Sequence, residues 1–276
     1  MDLNLRPLPA RDFDAQRAGH LLRRASFGAA PTDLERALDE GLDATVDRLF
    51  ADSEGSAPEG AIELLLGSDA IRPLQAWWMR GLCAGPGALR ERATLMWHGH
   101  FATSFQKVRD VRLMHAQNAT QRRLALGPFA ELLQAMMVDP AMQVWLDGVE
   151  NRLGSPNENL ARELLELFGL GRGNYGEDDV RQVARALTGW RVIGRRARLE
   201  PDLHDGGVKR FLGREGAFGL DEAVQAVAEH PACARWIATR LAGEYVGPRA
   251  PAALLGDRLD RLIEAERALA PEEAFD

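Results

Sequence analysis

The sequence predicts a mainly α chain, a single multi-helix domain with a small β-like insertion, and three observations predict it. Apolar residues, led by Leu and Ala, recur at the three- and four-residue spacing of amphipathic helices nearly everywhere. Helix-start signals precede two of these runs: Thr32 followed by Glu35, and Ser155-Pro156 followed by Glu158. Strand-like character is confined to residues 191–213, which have no helical period. A chain of 276 residues can hide roughly three quarters of its unfolded surface, so it needs neither disulfides nor metal merely to fold. Hydrophobic residues at 46% and charged residues at 27% exclude a collagen-like chain, a disulfide scaffold and wholesale disorder.

The elements follow in order. Within 12–50, Asp14 to Phe27 puts Ala18, Leu21, Leu22 and Ala25 on one helical face. Thr32 caps a second helix with Leu34, Leu38 and Leu42, and Asp43 to Phe50 is a third, short piece. Asp52 to Gly60 is rich in Gly, Ser, Pro and Glu and reads as a solvated loop. The core helices span 70–190: Ala70 to Cys83 with Trp77 and Trp78, Ala88 to about Trp97, Phe129 to Val138, Pro140 to Asp147, Pro156 to Gly169 and Asp178 to Trp190. Two β-like runs, Trp190 to Ile193 and Val208 to Leu212, then flank a turn-rich middle. Helices resume over 219–270 as Leu220 to Glu229, Ala232 to Tyr245 and Ala252 to Leu269, before a frayed tail. With no internal repeat, 1–276 reads as one domain.

A formal charge of −7, from 34 basic and 41 acidic residues, argues against a nucleic-acid partner, which calls for a net basic footprint. No stretch approaches the roughly 18–20 apolar residues of a membrane span. The first 20 residues lack the apolar core of an export signal, so the chain as given reads as cytoplasmic. Cys83 and Cys233 form no CxxC motif and read as small buried hydrophobes. P-loop, GxGxxG, GxSxG and HExxH motifs are absent, which removes the common nucleotide, hydrolase and zincin readings.

Three constellations offer chemistry. In Trp97-His98-Gly99-His100-Phe101, the two imidazoles share a metal if the backbone is extended. On a continuous helix they sit roughly 200° apart and do not. The alternative is a helix C-terminus with His98 near the negative dipole end and His100 stacked on aromatics. In the second, Asn159, Arg162, Glu163 and Glu166 form one polar stripe on a helix that is otherwise apolar. That stripe is either a buried polar network or a surface Arg162–Glu166 pair, and Glu158 has a capping job. In the third, His204-Asp205-Gly206-Gly207 is a turn that presents an imidazole, or an ordinary turn, with Lys209 beyond it. Arg191, Arg195, Arg196 and Arg198 form a small basic edge.

Seven blocks in this order carry a resemblance: HLLRRASFG (20–28), MWHGHFATS (96–104), ALGPFAELLQAMMVDPAMQVWLDG (125–148), SPNENLARELLELFGLG (155–171), EDDVRQVARALTGW (177–190), HDGGVKRFLG (204–213) and HPACARWIATRL (230–241). Together they resemble the bacterial "domain of unknown function 1800" family, over nearly the whole chain from His20 to about Val246. WHxHF and PNENxARELLELFxLG are the most distinctive. The resemblance implies an uncharacterised helical protein whose relatives are often longer and exported. Those relatives are often encoded beside a protein resembling sulfatases and alkaline phosphatases, which would be the partner. This chain departs by lacking an export signal and by stopping soon after the last block, as a short or truncated member would.

Two functions follow as expectations. The first is an enzyme in which His98 and His100 hold a divalent metal (zinc, manganese or iron) and Glu163, Glu166 and His204 are catalytic. Asn159, Arg162 and Asp205 would orient them, for metal-assisted hydrolysis or redox chemistry. The same groups without metal would serve acid–base chemistry. The second is a non-catalytic binding or assembly module, with Trp77-Trp78 and the Arg191–Arg198 edge facing a cell-envelope partner or polysaccharide.

Overall fold

Short polar residues and prolines set where the helices begin. The computed structural model describes residues 8–53, 62–67, 69–84 and 87–247. Helix α1 (Ala15–Ala25) starts at Asp14, whose side chain accepts from the Arg17 amide at 3.0 Å. Helices α2 (Pro31–Glu40) and α3 (Leu42–Ala51) follow. The Thr32 cap does not form: Pro31, pre-set for a first helical turn, starts α2 two residues earlier than a Thr32 cap would, and Ala30 caps it with no side-chain bond. Then come α4 (Ile62–Leu66), α5 (Ile71–Ala84), α6 (Ala88–His100), α7 (Phe105–Val108) and α8 (Val111–Leu124). Asp110 caps α8 through the Arg112 and Leu113 amides. After α9 (Phe129–Met137), Asp139 caps α10 (Pro140–Trp145) through the Met142 amide at 2.9 Å.

The box at Ser155 does not form either. Buried Asn151 accepts from the Asn157 amide at 2.9 Å and donates to the Ala184 carbonyl at 2.8 Å, which holds the segment as a loop. The Asn157 carboxamide in turn accepts from the Asn159 amide, so α11 (Asn159–Glu163) starts at Asn159 rather than Pro156. Over Leu164–Gly169 the helix widens into a π turn. Gly169 lets that turn lie against the following chain, since a Cβ there would stand 2.2 Å from Val227 Cγ1.

Helix α12 (Glu177–Ala186) leads to two separate antiparallel hairpins: β1 (Trp190–Ile193) with β2 (Arg196–Leu199), and β3 (Lys209–Phe211) with β4 (Arg214–Gly216). The two expected runs therefore do not face each other. Each returns on its own two-residue turn, Gly194-Arg195 and Leu212-Gly213, with positive φ at all four residues. Helices α13 (Leu220–Ala228) and α14 (Pro231–Tyr245) complete the described chain. The expected helix at 252–269, the tail and most of the 52–60 loop lie outside the described residues.

The fold is thus mainly α, and its strands form two small two-stranded sheets among the described residues. The main core joins α6, α9, the π turn, α12, α13 and α14 through Trp97, Phe101, Leu133, Met136, Phe168 and Val227. Each such side chain contributes roughly 1.5–3 kcal/mol by burial. A second cluster joins α5, α8 and α10 through Leu74, Val111, Met114 and Ala141. Ala18, Leu22 and Ala37 pack α1 on α2. No helix among the described residues is long and apolar enough to cross a membrane. Cys233 is buried, with its thiol pushed up to about 12 by that burial, whereas Cys83 is exposed at the end of α5 and is not the core residue expected.

Candidate functional site

Residues 88–100 form one continuous helix, so the extended backbone on which His98 and His100 share a metal is absent. The two rings leave α6 on opposite sides. His100 enters the main core, 3% exposed, among Trp97, Phe101, Phe129 and Phe168. Its Nε2 lies 3.0 Å from the Phe168 carbonyl, which the π turn leaves open. A carbonyl can only accept, so Nε2 carries the proton, and the buried Nδ1 has no partner. Burial, and then the Arg240 charge, push this imidazole down to about 4 against the lift from the Phe168 bond. His100 is therefore a neutral strut between α6 and the π turn.

His98 faces the other way, into a cavity of about 460 Å³ bounded by α5, α6, α7 and the start of α8. Trp78 meets the half-buried His98 ring edge-on at 5.2 Å. Burial lowers its pKa, and the Gln121 side chain partly opposes this. Trp77 and Trp78 line the cavity with Leu74, Phe105 and Met114, and neither indole is loose. Trp78 Nε1 donates to Glu91 Oε2 at 2.9 Å. Glu91 is held by Arg122 through bonds of 2.5 and 3.1 Å, and the Arg122 guanidinium lies over the Trp77 ring at 5.7 Å. A buried, mutually neutralised ion pair thus backs an aromatic wall.

The polar groups of this wall are incompletely used. Asn118 lines the cavity at 7% exposure, and neither its Nδ2 nor its Oδ1 has a hydrogen-bond partner. Trp77 Nε1, also buried, has none. Leaving such a group unmade costs roughly 1–3 kcal/mol. Thr103 and Ser104 lie on the rim; Ser104 Oγ accepts from the Gln106 amide, capping α7. Ala102 and Arg109 bracket this rim with positive φ, at 34° and 51°. Non-glycine residues in such conformations concentrate around functional sites.

The other expected site residues lie elsewhere. Glu163 and Glu166 sit together on α11 and the π turn. Glu166 is taken by Arg172 at 2.5 Å and Tyr175 at 3.1 Å, and the Arg172 bond chiefly lowers its pKa. Glu163 is half-buried; burial, then the Glu166 charge, push its carboxyl up against Arg162. Arg162 pairs with Glu177 and Glu158 rather than Glu166, and Asn159 donates to Asp147 at 3.3 Å. His204 Nδ1 lies 3.0 Å from the Thr188 carbonyl. Asp205 is forked onto Arg185 at 2.7 and 3.2 Å, and that pairing lowers its pKa. Buried Lys209 donates to the Asp205 and Gly207 carbonyls, tying the turn shut. Among the described residues no group of three or more His, Cys, Asp or Glu side chains is arranged to hold a metal ion.

Asn118 and Arg122 escape the sequence reading because it assigns no element to 105–124, and Glu91, on the expected helix from Ala88, carries no local signal of its distant partner Arg122. The buried residues of α8 are Val111, Leu113, Met114, Gln117, Asn118, Gln121 and Arg122. They keep helical spacing but turn polar halfway, so an apolar stripe fades. Three amides at helical spacing were the available signal.

A family model described as "Protein of unknown function (DUF1800)" matches residues 20–271. No curated protein and no solved structure matches the chain.

Proposed function

The chain belongs to the DUF1800 family of proteins of unknown function, and from that premise we propose that it binds a small uncharged molecule in the cavity between α5, α6 and α8. The observation that carries this reading is the cavity itself, about 460 Å³ and walled by Leu74, Trp77, Trp78, Phe105 and Met114. Apolar and aromatic walls with a few unpaired polar groups are the common makeup of small-molecule sites, and the volume lies within their usual range of about 300–1,000 Å³. The Glu91–Arg122 pair supports it by fixing the indoles before any ligand arrives.

The test uses protein carrying 13C-labelled Met methyl groups, titrated with toluene and with phenol. Saturable shifts of the Met114 methyl support the reading, provided Leu74→Phe, which fills the cavity from α5, abolishes them. Unmoved Met114 signals at millimolar probe overturn it.

A catalytic reading rests here on His98, the titratable group among the described residues that line the cavity, acting as acid or base on whatever binds. His98→Gln would then abolish turnover while leaving binding. Metal-assisted chemistry involving Glu163 and Glu166, read from the residues, and a sulfatase- or phosphatase-like partner, implied by the family resemblance, remain proposals. Elemental analysis of protein purified without chelator, and co-purification with the neighbouring gene product, test them in turn.

A further inference from the structure

The basic run of the insertion lies on the β1–β2 hairpin, where Ile193 pairs with Arg196, Arg191 with Arg198, Val192 with Ala197 and Trp190 with Leu199. A two-residue turn with positive φ at both positions is closed by a hydrogen-bonded pair, here Ile193–Arg196, and bonded and non-bonded pairs then alternate. The Glu200 amide, which donates to the Gly189 carbonyl at 2.9 Å, keeps that phase. The N–H and C=O groups of Ala197 and Leu199 therefore point away from β1, to the outer edge of β2. Among the described residues none of them has a partner. The far side of β1 is occupied instead: the Gly189 amide donates to the Asn151 carbonyl at 3.0 Å, and Arg191 to the carbonyls of Val149, Asn151 and Trp190.

The side chains sort by face. Arg191, Ile193, Arg196 and Arg198 share one face, and Trp190, Val192, Ala197 and Leu199 the other. Arg196, Arg198 and Leu199 are exposed. Arg195, at the turn, is taken by Asp110 at 2.5 Å, whereas Arg196 and Arg198 have no hydrogen bond or ion pair among the described residues. Residues 190–199 contain no Asp or Glu, although the chain carries a net charge of −7. Arg198 stands directly opposite Arg191, a like-charge pair that costs stability until an anion joins it. A strand laid along β2 would set alternate residues against Arg196 and Arg198, and the residues between them against Ala197 and Leu199. Acidic residues suit the first face and apolar residues the second. A second copy of β2 would bring arginine against arginine, so the edge selects against itself.

We infer that the outer edge of β2 takes an extended segment of a protein partner as a third, antiparallel strand, with acidic and apolar residues alternating along it. The probes are short dye-labelled peptides titrated onto the full chain by fluorescence anisotropy at low salt, where surface charges are least screened. One alternates Glu with Val, one alternates Lys with Val, and one has the Glu and Val content of the first with its acids in a single block. The alternating Glu peptide binds at least roughly tenfold tighter than the Lys peptide, because two cross-strand pairs change sign, and tighter than the blocked peptide. Arg196→Glu with Arg198→Glu reverses the preference toward the Lys peptide, a gain that a misfolded variant would not show. In an antiparallel pair the Val amides face β2, so N-methylation of every Val abolishes binding and N-methylation of every Glu leaves it. Equal affinity for the alternating and blocked acidic peptides, or full affinity of the N-methyl-Val peptide, overturns the inference by leaving charge alone as the attraction. Binding of polygalacturonate with no binding of any peptide overturns it in favour of a polysaccharide surface, and silence with every probe overturns it outright.

Discussion

Glu91→Ala is the perturbation that most directly probes how the cavity wall is built. Three hydrogen bonds end on this carboxylate, two from Arg122 at 2.5 and 3.1 Å and one from Trp78 at 2.9 Å. The two charged side chains are 4% and 6% exposed. Removing one partner leaves the Arg122 charge buried and uncompensated, which costs about 3–5 kcal/mol. Losing the Trp78 acceptor adds about 1 kcal/mol. Against a typical total of about 5–15 kcal/mol, the variant should be near its stability limit. Urea unfolding followed by far-UV circular dichroism measures the loss. Glu91→Leu with Arg122→Leu should return to within about 2 kcal/mol of wild type, because no charge is then stranded. A Glu91→Ala loss below about 1 kcal/mol, or a double variant as weak as the single, would refute the buried-pair account and with it the fixed aromatic wall.

Two pH-dependent groups oppose each other. His100 is held at about 4, below its unfolded value of 6.5, so its contribution is present above pH 6.5 and is lost as pH falls through 4, by about 3 kcal/mol. Asp139 is raised from 3.8 to about 6, chiefly by burial, against its bonds to Met142 and Gln117. Its contribution is present below pH 3.8 and is lost as pH rises through 6, by about 2–3 kcal/mol. Asp139→Asn keeps the cap and should steepen the fall in melting temperature on acidification from pH 6.5 to 4; an unchanged profile contradicts the Asp139 assignment. Gly189→Ala should cost about 2 kcal/mol or more by thermal unfolding. Its φ is +94°, and the added Cβ would meet the Glu200 carbonyl oxygen and the His204 amide nitrogen at 3.0 Å; wild-type stability would show that the His204 turn is not packed on this glycine.

The helices with a clean apolar stripe were legible because burial follows spacing: Ala18, Leu22 and Ala25 on α1, and Leu160, Leu164 and Phe168 along the SPNEN block, are buried, whereas Leu167, which the spacing puts on the same stripe, is exposed in the π turn. Helix starts were less legible, because caps compete. Pro31 displaced Thr32, and Asn151, upstream of the Ser155 capping box, took the Asn157 amide and delayed α11. The hairpins were read as one insertion because nothing local says that Trp190–Ile193 pairs across Gly194-Arg195 rather than with the next run. At the site, the WHGHF corner was a sound place to look, but His98 and His100 part company once the helix runs through Gly99. Which acid meets which base is fixed by tertiary partners such as Arg172 and Arg185, and no spacing rule names them.

The central claim is that the aromatic-walled cavity between α5, α6 and α8 takes up a small uncharged molecule. A crystal structure of the protein soaked with phenol tests it most directly. The account predicts the ring between Trp77, Trp78 and Phe105. A cavity free of phenol after a millimolar soak would contradict it.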